Sequence, residues 1–155
     1  MTEVFTMAAG HPRWEETAAF AERCSWRAGP ALARQMRSGV LTDWERVFAV
    51  AEDGRIAGFC TLTRYDELPP ERGLSPFVGF VFVDEAFRGR RLSERLIEEA
   101  ARYAASLGFA NLYVMSGEEG LYEKFGFAPI GWEKTIYGPT ERLFVRPLAP
   151  GKEAP

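Results

Sequence analysis

Histidine and cysteine are scarce in this chain of 155 residues, and that scarcity removes several kinds of chemistry. The single histidine, His11, lies near the N-terminus. A metal cluster or a Ser-His-Asp hydrolase triad therefore has little support. Cys24 and Cys60 stand far apart and match no metal or redox spacing. Two buried, reduced thiols are expected, with one disulfide as the alternative. No stretch approaches the roughly 20 apolar residues that span a bilayer. Met1 to Thr6 carries neither a basic n-region nor an apolar h-region, so a cytoplasmic protein is expected. Gly-x-Ser-x-Gly and the P-loop pattern are both absent. The formal charge is −3, which argues against wholesale binding of nucleic acid.

What is present suits one globular domain. Hydrophobic residues make up 46% and charged residues 26%, ordinary values for a packed core. No repeat, linker or second domain is visible. A single domain over 1–147 is expected, with a disordered tail over 148–155.

The most informative stretch runs from Phe77 to Ile97. Phe77 to Val83 is an apolar run rich in β-branched and aromatic residues, and it reads as a buried strand. Asp84-Glu85 makes an acidic turn. Leu92, Leu96, Ala100, Tyr103 and Leu107 then recur at helical spacing, widened by Ile97 and Ala104. Arg88, Gly89, Arg90 and Arg91 crowd the junction. A helix start offers unpaired N–H groups and a positive dipole end, and arginine adds forked donors suited to phosphate. Basic residues at this end oppose the macrodipole's preference for acids, a conflict that a bound anion removes. The local chemistry points to a polyphosphate.

Around this stretch the other elements read in order. Val4 to Thr6 is a short strand. Trp14, Thr17, Ala18, Ala21 and Cys24 share a helical face, Gly29-Pro30 breaks that helix, and a second, shorter helix ends at Ser38-Gly39. Arg46 to Glu52 and Arg55 to Thr63 are strands joined by Asp53-Gly54 as a type I′ turn. Asp66 to Ser75 is a loop. Gly108 ends the long helix. Asn111 to Met115 is a strand parallel to the central one if the helix is a right-handed crossover. Leu121 to Phe125 is a short helical segment closed by Gly126. Phe127 to Tyr137 and Glu141 to Arg146 form a last antiparallel pair.

Two motifs carry a resemblance. Val81 to Ser93 resembles motif A of the GNAT N-acetyltransferase family, in which a strand, an acidic turn and Arg/Gln-x-x-Gly-x-Gly/Ala precede a helix. Arg88 matches the first position of that pattern, Arg91 replaces its first glycine and Ser93 its second small residue. Gly120-Leu121-Tyr122-Glu123-Lys124-Phe125-Gly126-Phe127 closely resembles the family's Leu-Tyr-x-Lys-x-Gly-Phe signature, and it lies in the matching place along the chain. The resemblance extends over roughly Val4 to Pro147. It implies a three-layer α/β fold, with a mixed, mostly antiparallel twisted sheet flanked by helices and a parallel strand pair around the cofactor site.

The same resemblance implies a function. Acetyl-CoA is the expected co-substrate, its pyrophosphate wrapped by the loop of Arg88, Gly89, Arg90, Arg91, Leu92, Ser93 and Glu94. Main-chain N–H groups near Val81, Phe82 and Val83 are expected to polarise the thioester carbonyl. Tyr122 is the implied general acid for the leaving thiolate, since a phenol with a pKa near ~10 can donate at neutral pH. The acceptor is a small-molecule or peptide amine of unspecified identity. Trp26, Arg27, Arg34 and Trp44 are candidates to touch it, although the aromatics there more often serve the core. Asp84, Glu85, Glu118 and Glu119 lie near the implied site, but none is assigned as base. A non-catalytic CoA-binding module is the alternative, because Arg91 replaces a glycine and Ser116 to Gly120 lacks the asparagine of many relatives. A homodimer stays open, since exposed strands in this fold often pair.

Overall fold

A computed structural model describes residues 1–149. Its strands are β1 (Thr2–Met7), β2 (Arg46–Glu52), β3 (Arg55–Thr63), β4 (Phe77–Val83), β5 (Asn111–Ser116), β6 (Ala128–Lys134) and β7 (Thr140–Pro147). The helices are α1 (Trp14–Arg23), α2 (Gly29–Ser38) and α3 (Leu92–Ser106). The strands are hydrogen-bonded in the order β1-β2-β3-β4-β5-β7-β6. β4 and β5 run parallel, while β1–β2, β5–β7 and β6–β7 run antiparallel. This is the mixed α/β sheet that the sequence leads one to expect.

The chain packs as two compact units, one formed by 1–61 with 80–99, the other by 62–79 with 100–149. In the first, Phe20 of α1 and Leu32 of α2 share an apolar core with Met7, Val47, Phe59 and Phe82 of the strands. The contact between α1 and α2 is close because residue 29 has no side chain. A Cβ on Gly29 would meet the Ala21 carbonyl oxygen at 2.2 Å. Gly29-Pro30 does not break the first helix, which ends at Arg23. It opens α2, with proline in the first turn where its missing N–H costs nothing. Both helices have 10 residues, so the second is not the shorter. Gly39 ends α2 in the left-handed conformation, at φ 74°. Asp53 and Gly54 have φ of 49° and 85°, the two left-handed residues that a type I′ turn requires.

In the second unit, Leu68, Phe77, Met115 and Leu143 form one apolar cluster. The Tyr113 N–H donates to the Pro76 carbonyl at 3.0 Å beside the parallel pair Phe77↔Tyr113. Asp66 to Ser75 is a loop containing one 3-10 turn at Pro70–Arg72. Within the expected tail, the Leu148 N–H donates to the Ala110 carbonyl at 2.9 Å, and residues 150–155 lie outside the described residues. Cys60 is buried and Cys24 only half-buried, and both are free thiols rather than a disulfide. The Cys24 thiol turns to the Ala21 carbonyl at the end of α1, 3.2 Å away.

Candidate active site

Two left-handed non-glycine residues flank the end of β4. Phe80 has φ 50° inside the strand, and Arg91 has φ 60° just before α3. Such a backbone costs on the order of 1–3 kcal/mol for a residue with a Cβ and persists where the surroundings impose it. For Phe80 those surroundings are visible, since its ring packs edge-on against Trp26 at 6.1 Å. Trp26 in turn lies flat on Phe82, with centroids 5.8 Å apart and planes within 6°. Phe59 and Phe20 complete the aromatic cluster. Trp26 is thus half-buried core against β4. Arg27 and Arg34 are exposed, and Trp44 is half-buried in the turn before β2.

The other side of this segment is held by Gly58 on β3. A Cβ there would meet the Phe82 carbonyl oxygen at 2.5 Å and the Val83 Cα at 3.1 Å. The Asp84 N–H donates to the Ala57 carbonyl at 2.8 Å. The main chain of Phe82 to Asp84 is therefore clamped between β3 and the aromatic cluster. Sequence reading missed Gly58, although a glycine inside a strand is itself a sign of close backbone approach.

After β4, Asp84 caps a 3-10 turn over Glu85–Phe87, its Oδ1 accepting from the Ala86 N–H at 3.4 Å. Asp84 thereby has a structural task, while Glu85 is exposed. Arg88 folds back. Its Nε donates to the Val83 carbonyl at 2.9 Å and its guanidinium lies over the Phe82 ring at 5.7 Å. Arg90 pairs with Glu52 at 3.6 Å and lies over Phe87 at 5.5 Å. Arg91 makes a loose pair with Glu94 at 3.5 Å, its side chain 85% exposed. Gly89, at φ 87°, and Arg91 both take the left-handed conformation, and Arg91 does so at the position where the family pattern has glycine. Leu92 is buried, while Ser93 and Glu94 are half-buried in the first turn of α3. That turn's N–H groups have no acceptor within the helix, so the junction combines a 15-residue helix start with three guanidiniums.

Tyr122 lies in the second unit. It opens a 3-10 turn, Tyr122–Phe125, and is 6% exposed. Its ring meets Phe125, Phe127 and Phe144 at 5.8 to 6.2 Å. The turn closes where the Phe127 N–H donates to the Tyr122 carbonyl at 3.1 Å, next to Gly126 at φ 88°. Glu118 and Glu119 are exposed, and the Glu118 N–H is held by the Ser116 hydroxyl at 2.9 Å.

The same unit contains a carboxyl cluster that sequence reading did not find. Burial pushes Glu67 up to about 8, helped by a hydrogen bond with the Glu141 carboxyl and the charge of Asp66. Burial likewise pushes Asp66 up to about 6. Glu141 faces Glu133 across the β6–β7 ladder, and Glu133 is ion-paired with Arg72. Two carboxyls can hydrogen-bond only when one holds a proton, so the Glu141 carboxyl adds to the upward push that burial begins on Glu67. Nothing local in the sequence marks these acids.

Among the described residues no group of histidine, cysteine and acids is placed to hold a metal ion. Among the same described residues no helix is long and apolar enough to cross a membrane.

A family model described as the acetyltransferase (GNAT) family matches residues 9–127. Among solved structures, an aminoglycoside 6'-acetyltransferase of type Ii superposes with a TM-score of 0.74 at 15% identity, covering 96% of this chain and 99% of that one. An aminoglycoside 6'-N-acetyltransferase complexed with coenzyme A gives 0.72 at 13% identity, covering 97% and 99%. A GNAT family acetyltransferase from Elizabethkingia anophelis with acetyl-CoA bound gives 0.65 at 15%, covering 95% and 98%. At these identities the likeness is one of fold. No curated protein sequence matches.

Proposed function

Because the chain belongs to the acetyltransferase (GNAT) family, we propose that it moves an acetyl group from acetyl-CoA directly to the nitrogen of an amine acceptor, within one catalytic domain over 1–147. The observation that carries this reading is the β4–α3 junction. There a clamped strand end, a helix start and the Arg88–Arg91 run stand within one short segment.

Each part has a task. The N–H groups at the start of α3, with Arg88 and its neighbours, hold the pyrophosphate. Arg88 suits this role because its Nε is spent on Val83 while its terminal nitrogens keep donors to spare. Main-chain N–H groups of Val81 to Val83 polarise the thioester carbonyl. Donors fixed in advance stabilise the developing oxyanion without reorganising, and the Gly58 approach and the Trp26–Phe82 stack supply that rigidity. The acceptor nitrogen bonds to the carbonyl carbon and gives its proton to solvent. The carbon–sulfur bond breaks, and the departing thiolate takes the Tyr122 hydroxyl proton. Solvent returns a proton to the tyrosinate.

The test is a melting curve with and without saturating acetyl-CoA, for the native chain and for Arg88→Ala. Ligand at about 100 times its Kd stabilises the native state by roughly 2.7 kcal/mol, which is several degrees for a domain of this size. The expected shift shrinks in Arg88→Ala. An unshifted native chain would overturn the reading. Turnover with a panel of amines then separates an acetyltransferase from a module that only binds CoA.

A further inference from the structure

A cavity of about 340 Å³ lies in the first unit beside the acidic turn, lined among others by Phe20, Arg23, Arg55, Asp84, Glu85 and Phe87. Its size falls in the range of small-molecule sites, about 300–1,000 Å³. The charged groups in its wall are arranged unusually. The Arg23 guanidinium lies over the Phe20 ring at 5.7 Å, and that of Arg55 over the Phe87 ring at 6.0 Å. Among the described residues neither arginine stands within ion-pair distance of a carboxylate, although three carboxylates line the same cavity. Glu16 is taken by Arg13 at 2.7 Å and Asp84 caps the Ala86 N–H, while Glu85 is exposed. A guanidinium held beside an aromatic ring by its charge still has N–H donors to offer a planar anion.

We propose that this cavity binds a small zwitterion of the amino-acid type. Arg23 and Arg55 hold its carboxylate, Glu85 and Asp84 face its ammonium, and Phe20 and Phe87 flank its apolar part. A phosphate fits less well, because three carboxylates outnumber two guanidiniums in the lining and repel a dianion more than a monoanion. The Phe20 ring also touches Phe82, centroids 6.3 Å apart, on the strand assigned to the thioester. The zwitterion is therefore the amine acceptor, its ammonium first giving a proton to solvent to free the lone pair that attacks, an assignment that rests on the acetyl-transfer reading and narrows it to amines bearing a carboxylate.

The test titrates the full chain with free amino acids and with their carboxamides, following the melting temperature, in the native chain, Arg23→Ala and Arg55→Ala. At least one free amino acid is expected to raise the melting temperature more than its carboxamide does. Each substitution should weaken that binding about tenfold, the loss of one charged hydrogen-bond partner. The acetyl-CoA shift should stay intact in both variants. Equal shifts from acid and amide, no shift from any amino acid, or a larger shift from inorganic phosphate would overturn the proposal. So would loss of the acetyl-CoA shift in either variant, because the cavity would then serve the cofactor. Binding needs no turnover, so absent acetylation counts against the transfer reading, and absent carboxylate preference against the cavity.

Discussion

The Nε of Arg88 donates to the main-chain carbonyl of Val83, 2.9 Å away, and so ties the first arginine of the basic loop to the end of the strand before it. Val83 is 7% exposed, which leaves its carbonyl little access to solvent as a substitute donor. Arg88→Ala should therefore lower stability without any ligand, by about 1–2 kcal/mol, through an acceptor left unpaired. Denaturant unfolding of the unliganded chain reads this directly. An unchanged midpoint would mean that the tie adds nothing to the fold and that Arg88 acts only on ligand.

Arg91 should respond in the opposite direction. Its φ of 60° is strained for arginine and natural for glycine, and its pair with Glu94 is too exposed to contribute much. Arg91→Gly is expected to raise stability by up to about 1 kcal/mol, read as a higher melting temperature. A lower one would show that the exposed guanidinium supports the loop in some other way.

At Gly58 there is no room for a methyl group. The clash at 2.5 Å is with main chain, which cannot rotate away, so Gly58→Ala must push Phe82 and Val83 aside. A cost of about 1–3 kcal/mol is expected, the usual toll of overpacking. Acetyl transfer at saturating acetyl-CoA should fall as well, because the displaced segment is the one assigned to the thioester carbonyl. Stability and rate measured on the same preparation check both parts.

The carboxyl cluster makes stability depend on pH with a definite sign. Glu67 is raised from 4.5 to about 8 and Asp66 from 3.8 to about 6, so the folded state favours their protonated forms. Their contribution is fully present below the unfolded values and is lost as pH rises through the folded ones. The melting temperature should fall from about pH 5 to pH 8 on their account. Glu67→Gln removes the larger part of that slope, which a melting series across this range would show. An equally steep series in the variant would place the slope on other groups.

Tyr122→Phe keeps the ring contacts with Phe125, Phe127 and Phe144 and removes only the hydroxyl. The turnover number should drop about 10²-fold or more, the usual worth of a positioned acid, with the KM for acetyl-CoA little changed. Steady-state kinetics decide it, and an unaltered rate would end the assignment.

The fold was legible in the sequence wherever its cause is local. The apolar run of Phe77 to Val83, the helical spacing from Leu92, the Asp53-Gly54 turn and the Leu121-to-Phe127 signature are each written in neighbouring residues, and each element lies where its pattern implies. Periodicity and turn chemistry act over a few residues, so one chain suffices to read them. Only the tertiary structure decided how Arg88 meets Val83, how Gly58 admits the Phe82 carbonyl, how Glu67 meets Glu141 and how Arg23 and Arg55 share a cavity. Glu67 and Glu141 show the reason. A carboxyl's proton affinity depends on burial and on the charges that packing brings beside it, and those neighbours come from distant parts of the chain.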